Sequence, residues 1–255
     1  MFFKEHPMFF EPDWPAPAKV RAFQTLRTGG ESLPPFGTLN LGLHVGDDPV
    51  RVQANRDRLF STFPGVVPLW MTQVHGTRVL DADAWRGWQG GSFTPEADAA
   101  VTKTPGLAVV VMTADCLPVL FCDRAGRRVA VAHAGWRGLC AGVLENTVRA
   151  MDCPPDEILA WMGPTIGSDA FEVGPEVYDA FVAQAPEDAA AFVSAGVHGK
   201  WRADLFALAQ RRLETLGLRD IYGGGECTVS QPDRYFSYRR DGKTGRMATT
   251  IWLTV

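Results

Sequence analysis

The sequence lacks most of the features that would assign it at a glance. It has no C-x-x-C pair: its five cysteines, an odd number, stand at positions 116, 122, 140, 153 and 227. That argues against a disulfide scaffold and for a reducing compartment. Positive charge is not in surplus, with 25 Lys and Arg against 29 Asp and Glu and a formal charge of −4. Without a basic field, non-specific binding of nucleic acid is not expected. No apolar stretch reaches membrane-spanning length. The opening MFFKEHPMFFEPDW is interrupted by Glu5, Pro7, Glu11 and Asp13 and has neither a clean apolar core nor a small-residue cleavage site. There is no Walker loop, dinucleotide fingerprint or HExxH, and no internal repeat. The expectation is a cytoplasmic protein with no membrane and no nucleic-acid partner.

What is present is apolar material. At 46% hydrophobic and 21% charged, 255 residues can bury a sizeable core. Three continuous apolar runs, 107–112, 118–122 and 128–132, have strand length and turn-like flanks. Continuity rather than alternation predicts strands covered on both faces. Residues 158–162 read as a further strand, and 69–80 as extended. Asp48-Pro49 opens a helix in which Val52, Leu59 and Phe60 face inward and Arg51, Arg56 and Arg58 face water. Gly135 and Gly138 punctuate a loop, after which Leu139, Val143, Thr147 and Met151 recur at helical spacing. Residues 175–184 and 205–216 are the other predicted helices. Residues 27–38 and 86–96 read as Gly-rich loops, and Asp241-Gly242 with Thr244-Gly245 as the turn of a terminal hairpin. Irregular alternation of strands and helices predicts an α+β (mixed α/β) fold, read as one domain over 1–255.

Chemistry is expected where polar groups interrupt apolar runs. Three places qualify: Gln73-Val74-His75-Gly76, Thr113-Ala114-Asp115-Cys116, and His133-Ala134-Gly135-Trp136-Arg137-Gly138. Each puts a metal-binding side chain at a strand edge beside small residues, where backbone and ligand can approach closely. His75, Cys116 and His133 suit zinc: two imidazoles and a thiolate leave a fourth position for water or substrate. The same residues also suit a cysteine nucleophile, with a histidine as base and Asp115 as orienter. His6, His44 and His198 lack such a setting, Cys122, Cys140 and Cys153 read as small core residues, and Cys227 is a weaker candidate. Arg137, ahead of a helix, and Arg239 and Arg240, near the terminal turn, are candidate phosphate ligands. Arg246 reads more simply as part of a solvated turn.

Together the strings NLGLHVGDDP, TQVHG, ADAAVTKTPGLAVVVMTADCLPVLFCD, VAVAHAGWRG, MGPTIG, FEVGPEV and FSYRRDGKTGR resemble the YfiH family. It is also labelled the polyphenol oxidase or multicopper laccase-domain family, and its members are described as purine nucleoside phosphorylases. The resemblance runs from about residue 40 to 252. It implies metal ligation by His75, Cys116 and His133 and mixed sheets flanked by helices, similar to a deamidase toxin. It implies phosphorolysis of adenosine, inosine, guanosine and S-methyl-5′-thioadenosine, with adenosine deamination beside it. Copper-dependent phenol oxidation is the older claim. A multicopper oxidase needs more histidines than the five present. Relatives often carry Cys where this chain has Thr165, which can still offer a hydroxyl to substrate. For deamination, a zinc ion would lower the pKa of a water, and Asp115 or Glu172 would serve as acid. For phosphorolysis, Arg137, Arg239 and Arg240 would clamp phosphate. A metal-independent Cys-His hydrolase or deamidase and a non-catalytic nucleoside-binding protein are the alternatives.

Overall fold

The computed structural model describes residues 5–85 and 94–254. In chain order its strands are β1 (Glu5–His6), β2 (Phe9–Phe10), β3 (Val20–Thr25), β4 (Val67–Leu69), β5 (Val79–Asp81), β6 (Ala99–Thr102), β7 (Leu107–Thr113) and β8 (Leu117–Asp123). They continue with β9 (Val129–Ala134), β10 (Ile158–Met162), β11 (Glu172–Val173), β12 (Phe192–Ser194), β13 (Trp201–Ala203), β14 (Asp220–Gly223) and β15 (Met247–Leu253). The helices are α1 (Pro49–Ser61), α2 (Trp136–Ala141), α3 (Val143–Ala150), α4 (Pro175–Gln184), α5 (Leu205–Thr215) and α6 (Tyr238–Asp241). The expected mixed α/β architecture is what the chain adopts.

Two six-stranded sheets carry the fold, ordered β1-β2-β3-β15-β7-β4 and β14-β10-β8-β9-β6-β5, with a small sheet β11-β13-β12 beside them. Parallel pairs (β4 with β7, β5 with β6, β10 with β14) stand among antiparallel ones. The burial of β7, β8 and β9 is complete along their length, and strand alternation explains why. On β7, Val109 and Val111 join the layer between the sheets, while Ala108 and Val110 face Leu59 and Phe60 of α1. On β8, Leu120 and Cys122 enter the inter-sheet layer, while Val119 and Phe121 pack with Leu139, Val143 and Leu208 under the helices. Both faces of each strand are covered, so both must be apolar.

Local chemistry sets the element ends. The Asp48 side chain accepts from Val50 N and caps α1, with Pro49 in the first turn. Four expectations need correction. The predicted loop at Gly135–Gly138 is shortened to a cap at Gly135, because α2 already begins at Trp136. Gly142, at φ 101°, then breaks what the spacing reads as one helix into α2 and α3. The terminal hairpin does not form: Ser237 accepts from Arg240 N and caps the short α6, and only β15 follows as strand. Arg56 is not on the wet face of α1. It is 9% exposed, donates from Nε and Nη2 to the Leu41 carbonyl and stacks 3.8 Å from the Trp70 ring centroid. The stretch 69–80 is strand only at its ends. The expected loop at 86–96 falls mostly outside the described residues.

Candidate metal centre and its cleft

Strand pairing brings two of the three candidate ligands together. Antiparallel β8 and β9 place Pro118 opposite His133 and Leu117 opposite Ala134. Cys116, one residue before β8, therefore sits beside the end of β9. His75 arrives from the connection between β4 and β5 with φ 60°, a left-handed conformation uncommon for a side-chain-bearing residue. One buried carboxylate holds it there. Asp98, fully buried just before β6, accepts from the backbone N–H of His75 (2.9 Å) and Gly76 (2.7 Å) and from Val74 N (3.2 Å). The same carboxylate accepts from His133 Nδ1 at 2.8 Å. Burial opposes ionisation of Asp98, but these donors outweigh it and hold its pKa below the ordinary carboxylate value.

His133 thus spends Nδ1 on Asp98 and keeps Nε2 for the cluster. His75 Nε2 lies 3.7 Å from Cys116 Sγ, and the two imidazole rings meet edge-on at 4.7 Å. The ligand atoms of His75, Cys116 and His133 all lie within 4.8 Å of one another. Burial disfavours a Cys116 thiolate. The His133 imidazolium, by charge and hydrogen bond, and His75 outweigh that and bring it down to about 6. Burial likewise disfavours charge on His133, yet the Cys116 thiolate and Asp98 raise it to about 9. Space for the cluster depends on Gly135, where a Cβ would come within 2.7 Å of the His75 ring and 3.1 Å of Cys116 Sγ. Two imidazoles and a thiolate whose charge is already favoured form a donor set that fits a divalent metal ion, and the carboxylate behind one histidine is the usual support of such a ligand.

The cluster opens on a cleft of about 420 Å³. Gln73, Met112, Thr113 and Ala114 line it together with the three ligands. The remaining lining residues are His44, Tyr238 and Arg246. Gln73 is fixed by exchanging two hydrogen bonds with the Met112 backbone, at 2.8 and 2.7 Å. Tyr238 is 61% exposed at this site. Thr113 is 1% exposed, and its Oγ1 has no hydrogen-bond partner among the described residues.

Most of the other expected site residues lie off the cleft. Asp115, at φ 94°, accepts from Thr228 Oγ1 (2.6 Å) through one oxygen and from Arg239 N (2.6 Å) through the other. It ties two segments together and is not among the residues lining the cleft. Thr165 is fully buried and donates to the Asp115 carbonyl at 2.5 Å. Glu172 is exposed on β11, 4.0 Å from Lys200. The Arg239 guanidinium donates to the carbonyls of Ala170 and Glu172. That of Arg240 serves Thr228, Val229, Tyr235 and Asp241. The Arg240 guanidinium is fully engaged, whereas that of Arg239 is exposed and donates through Nη1 alone; neither is among the residues lining the cleft. Arg137 is exposed and stacks on Trp136 with 4.4 Å to the ring centroid. Residues that sequence reasoning missed are Asp98, His44 and Arg246. Asp98 had a signal, a lone carboxylate between alanines ahead of an apolar strand, where burial demands a partner. Among the described residues no helix is long and apolar enough to cross a membrane.

Residues 21–254 match the family described as multi-copper polyphenol oxidoreductase laccase. A protein of Pseudomonas aeruginosa named purine nucleoside phosphorylase is 53% identical over 242 residues, covering 95% of this chain and 97% of that protein. Purine nucleoside phosphorylase YfiH of Escherichia coli is 51% identical over 245 residues, covering 95% and 97%. A crystal structure of a Neisseria meningitidis protein superposes with a TM-score of 0.92 at 52% identity, covering 97% of this chain and 99% of that one. That of YlmD from Geobacillus stearothermophilus gives a TM-score of 0.90 at 31% identity, covering 100% and 99%.

Proposed function

This chain belongs to the YfiH family, the multi-copper polyphenol oxidoreductase laccase family, and from that membership we propose that it is a zinc-dependent purine nucleoside phosphorylase. Its substrates are adenosine, inosine, guanosine and S-methyl-5′-thioadenosine with inorganic phosphate. It acts as one domain, in the cytoplasm, without nucleic-acid or membrane partners. The observation that carries the reading is the His75–Cys116–His133 cluster opening on a cleft of about 420 Å³, a volume that suits a nucleoside. Among the described residues this is the single group of its kind, which supports one metal site rather than the several a laccase needs.

His75, Cys116 and His133 would hold the zinc, which supplies Lewis acidity toward a substrate oxygen or a water. Asp98 keeps both histidines in place. Tyr238 offers an aromatic face for the purine, and Met112 and Ala114 add apolar wall. In phosphorolysis a phosphate oxygen bonds to C1′ while the bond from C1′ to the purine breaks. Its electron pair leaves with the base, and the proton brought by hydrogen phosphate ends on the purine. The protein's task is to hold the two reactants in line. Adenosine deamination draws less support from the cleft, because no carboxyl group lines it among the described residues.

Chromatography of adenosine incubated with zinc-loaded protein, with and without phosphate, tests the reading. Phosphate-dependent release of adenine is expected, and no release at high enzyme concentration would sink it. One observation favours a second reading: Asp98, His133 and Cys116 are also arranged as the orienter, base and nucleophile of a Cys-His hydrolase. Such an enzyme is inactivated by thiol alkylation whether or not zinc is present, whereas zinc ligation protects Cys116.

A further inference from the structure

The cleft contains a cation, Arg246, with no ion-pair partner among the described residues. Both hydrogen bonds of the Arg246 side chain run from Nη1, to the carbonyls of Thr244 and Gly245. The rest of its guanidinium fork has no protein acceptor among the described residues, and it makes no ion pair there. It is nevertheless largely withdrawn from water, and burial pushes its pKa down; the Cys116 and Asp115 charges act the other way. The carboxylate of Asp115 is already engaged by Thr228 and the Arg239 N–H. A half-buried, unpaired guanidinium is costly unless an anion completes it.

Three further features converge on the same place. Gly42 makes room for the arginine: a Cβ there would come within 2.8 Å of Arg246 Cγ. His44, two residues on, lines the cleft beside it, and burial and then the Arg246, Arg56 and His133 charges push its pKa down. Thr113 contributes a hydroxyl that is nine-tenths buried and unpartnered. Its strand position is fixed by the pairing of Thr113 with Met247, the residue after Arg246. A cation with free forked donors, an imidazole and an orphan hydroxyl, in a cleft that no carboxylate lines among the described residues, match a tetrahedral oxyanion.

We propose that Arg246, His44 and Thr113 form the inorganic phosphate subsite of the cleft, with Arg246 as its principal ligand. The inference rests on the phosphorylase reading for its purpose, but the subsite is a binding claim of its own. It moves phosphate recognition from Arg137, Arg239 and Arg240 to a residue that sequence pattern leaves on a wet turn. It also places phosphate on the same cleft as the ligand cluster.

The test is titration of inorganic phosphate into the zinc-loaded full-length chain, alongside separate KM values for phosphate and nucleoside. Arg246→Ala is expected to weaken phosphate binding, and to raise the phosphate KM, by roughly ten- to a hundredfold, as for loss of a charged hydrogen-bonding group. The nucleoside KM should stay within about twofold of wild type. Arg246→Lys should recover part of the affinity, and Thr113→Val, which keeps shape and removes the hydroxyl, should lose several-fold. Where Arg246→Ala proves unfolded by circular dichroism, the Lys and Val variants decide. Unchanged phosphate affinity in these variants, or parallel losses for phosphate and nucleoside, overturns the subsite. Arg246-dependent phosphate binding without any phosphorolysis in wild type would instead leave the subsite standing and refute the phosphorylase reading.

Discussion

Asp98 shows how much one carboxylate can organise. It fixes the tautomer of one candidate metal ligand through His133 Nδ1 and the backbone of the other through three N–H donors. Replacing it with Asn keeps the volume but loses the charge and at least one acceptor. Asp98→Asn is therefore expected to lower zinc affinity by about 10- to 100-fold, as for other carboxylates behind a ligating histidine. Competition with a calibrated chelator measures this, and unchanged affinity would remove Asp98 from the account. At this scale the sequence was informative about residue type. His75, Cys116 and His133 are legible because each breaks an apolar run beside small residues. Arg246 and His44 are not, because their meaning comes from lining one cleft although they lie about two hundred residues apart in the chain. Arg240 is the complementary case: a guanidinium beside a turn looks free until the carbonyls it serves are located.

Among the elements, legibility follows coverage. β7, β8 and β9 can be read from sequence because strands covered on both faces need unbroken apolar runs. The stretch 70–78 cannot, because its shape is set by Asp98 from a distant part of the chain. The terminal hairpin was misread because Asp241-Gly242 has turn chemistry, while Ser237 and Asp115 accept from Arg240 N and Arg239 N and start a helical turn instead. The β8–β9 turn supplies a pH prediction. Asp123 accepts from the backbone N–H of Arg127 and Arg128 and from Arg127 Nε. Burial raises its pKa, but these donors outweigh burial and leave it depressed. A depressed folded-state pKa means that its stabilisation is complete above the unfolded-state value and disappears as pH falls through the folded one. Asp123→Asn should accordingly lower stability at neutral pH and flatten its acid dependence, measured by urea unfolding from pH 7 downward. An acid limb identical to wild type would assign that dependence to other groups.

The molecule as a whole is a stack: α1, one six-stranded sheet, a second, and then the layer of α2, α3 and α5. The ligand cluster draws on the β4–β5 connection, the β7–β8 corner and the end of β9, so it spans both sheets. Metal held there links parts of the chain that must all be folded at once. By mass action, free metal at 100 times its dissociation constant contributes about 2.7 kcal/mol. A chelator should thus lower the unfolding temperature by several degrees, read by calorimetry before and after zinc is restored. An unfolding temperature indifferent to chelator would mean that the cluster binds no metal in solution.

β15 fills the slot between β3 and β7, far from either in sequence. Order of synthesis therefore matters. All strands of the second sheet lie between residues 79 and 223 and leave the ribosome before β15 does. The three candidate ligands emerge early as well. Arg246 comes out immediately ahead of β15, as the first sheet gains its missing member. A nascent chain thus carries its candidate metal ligands long before it carries the arginine assigned to phosphate, and the step that completes the first sheet also completes the cleft.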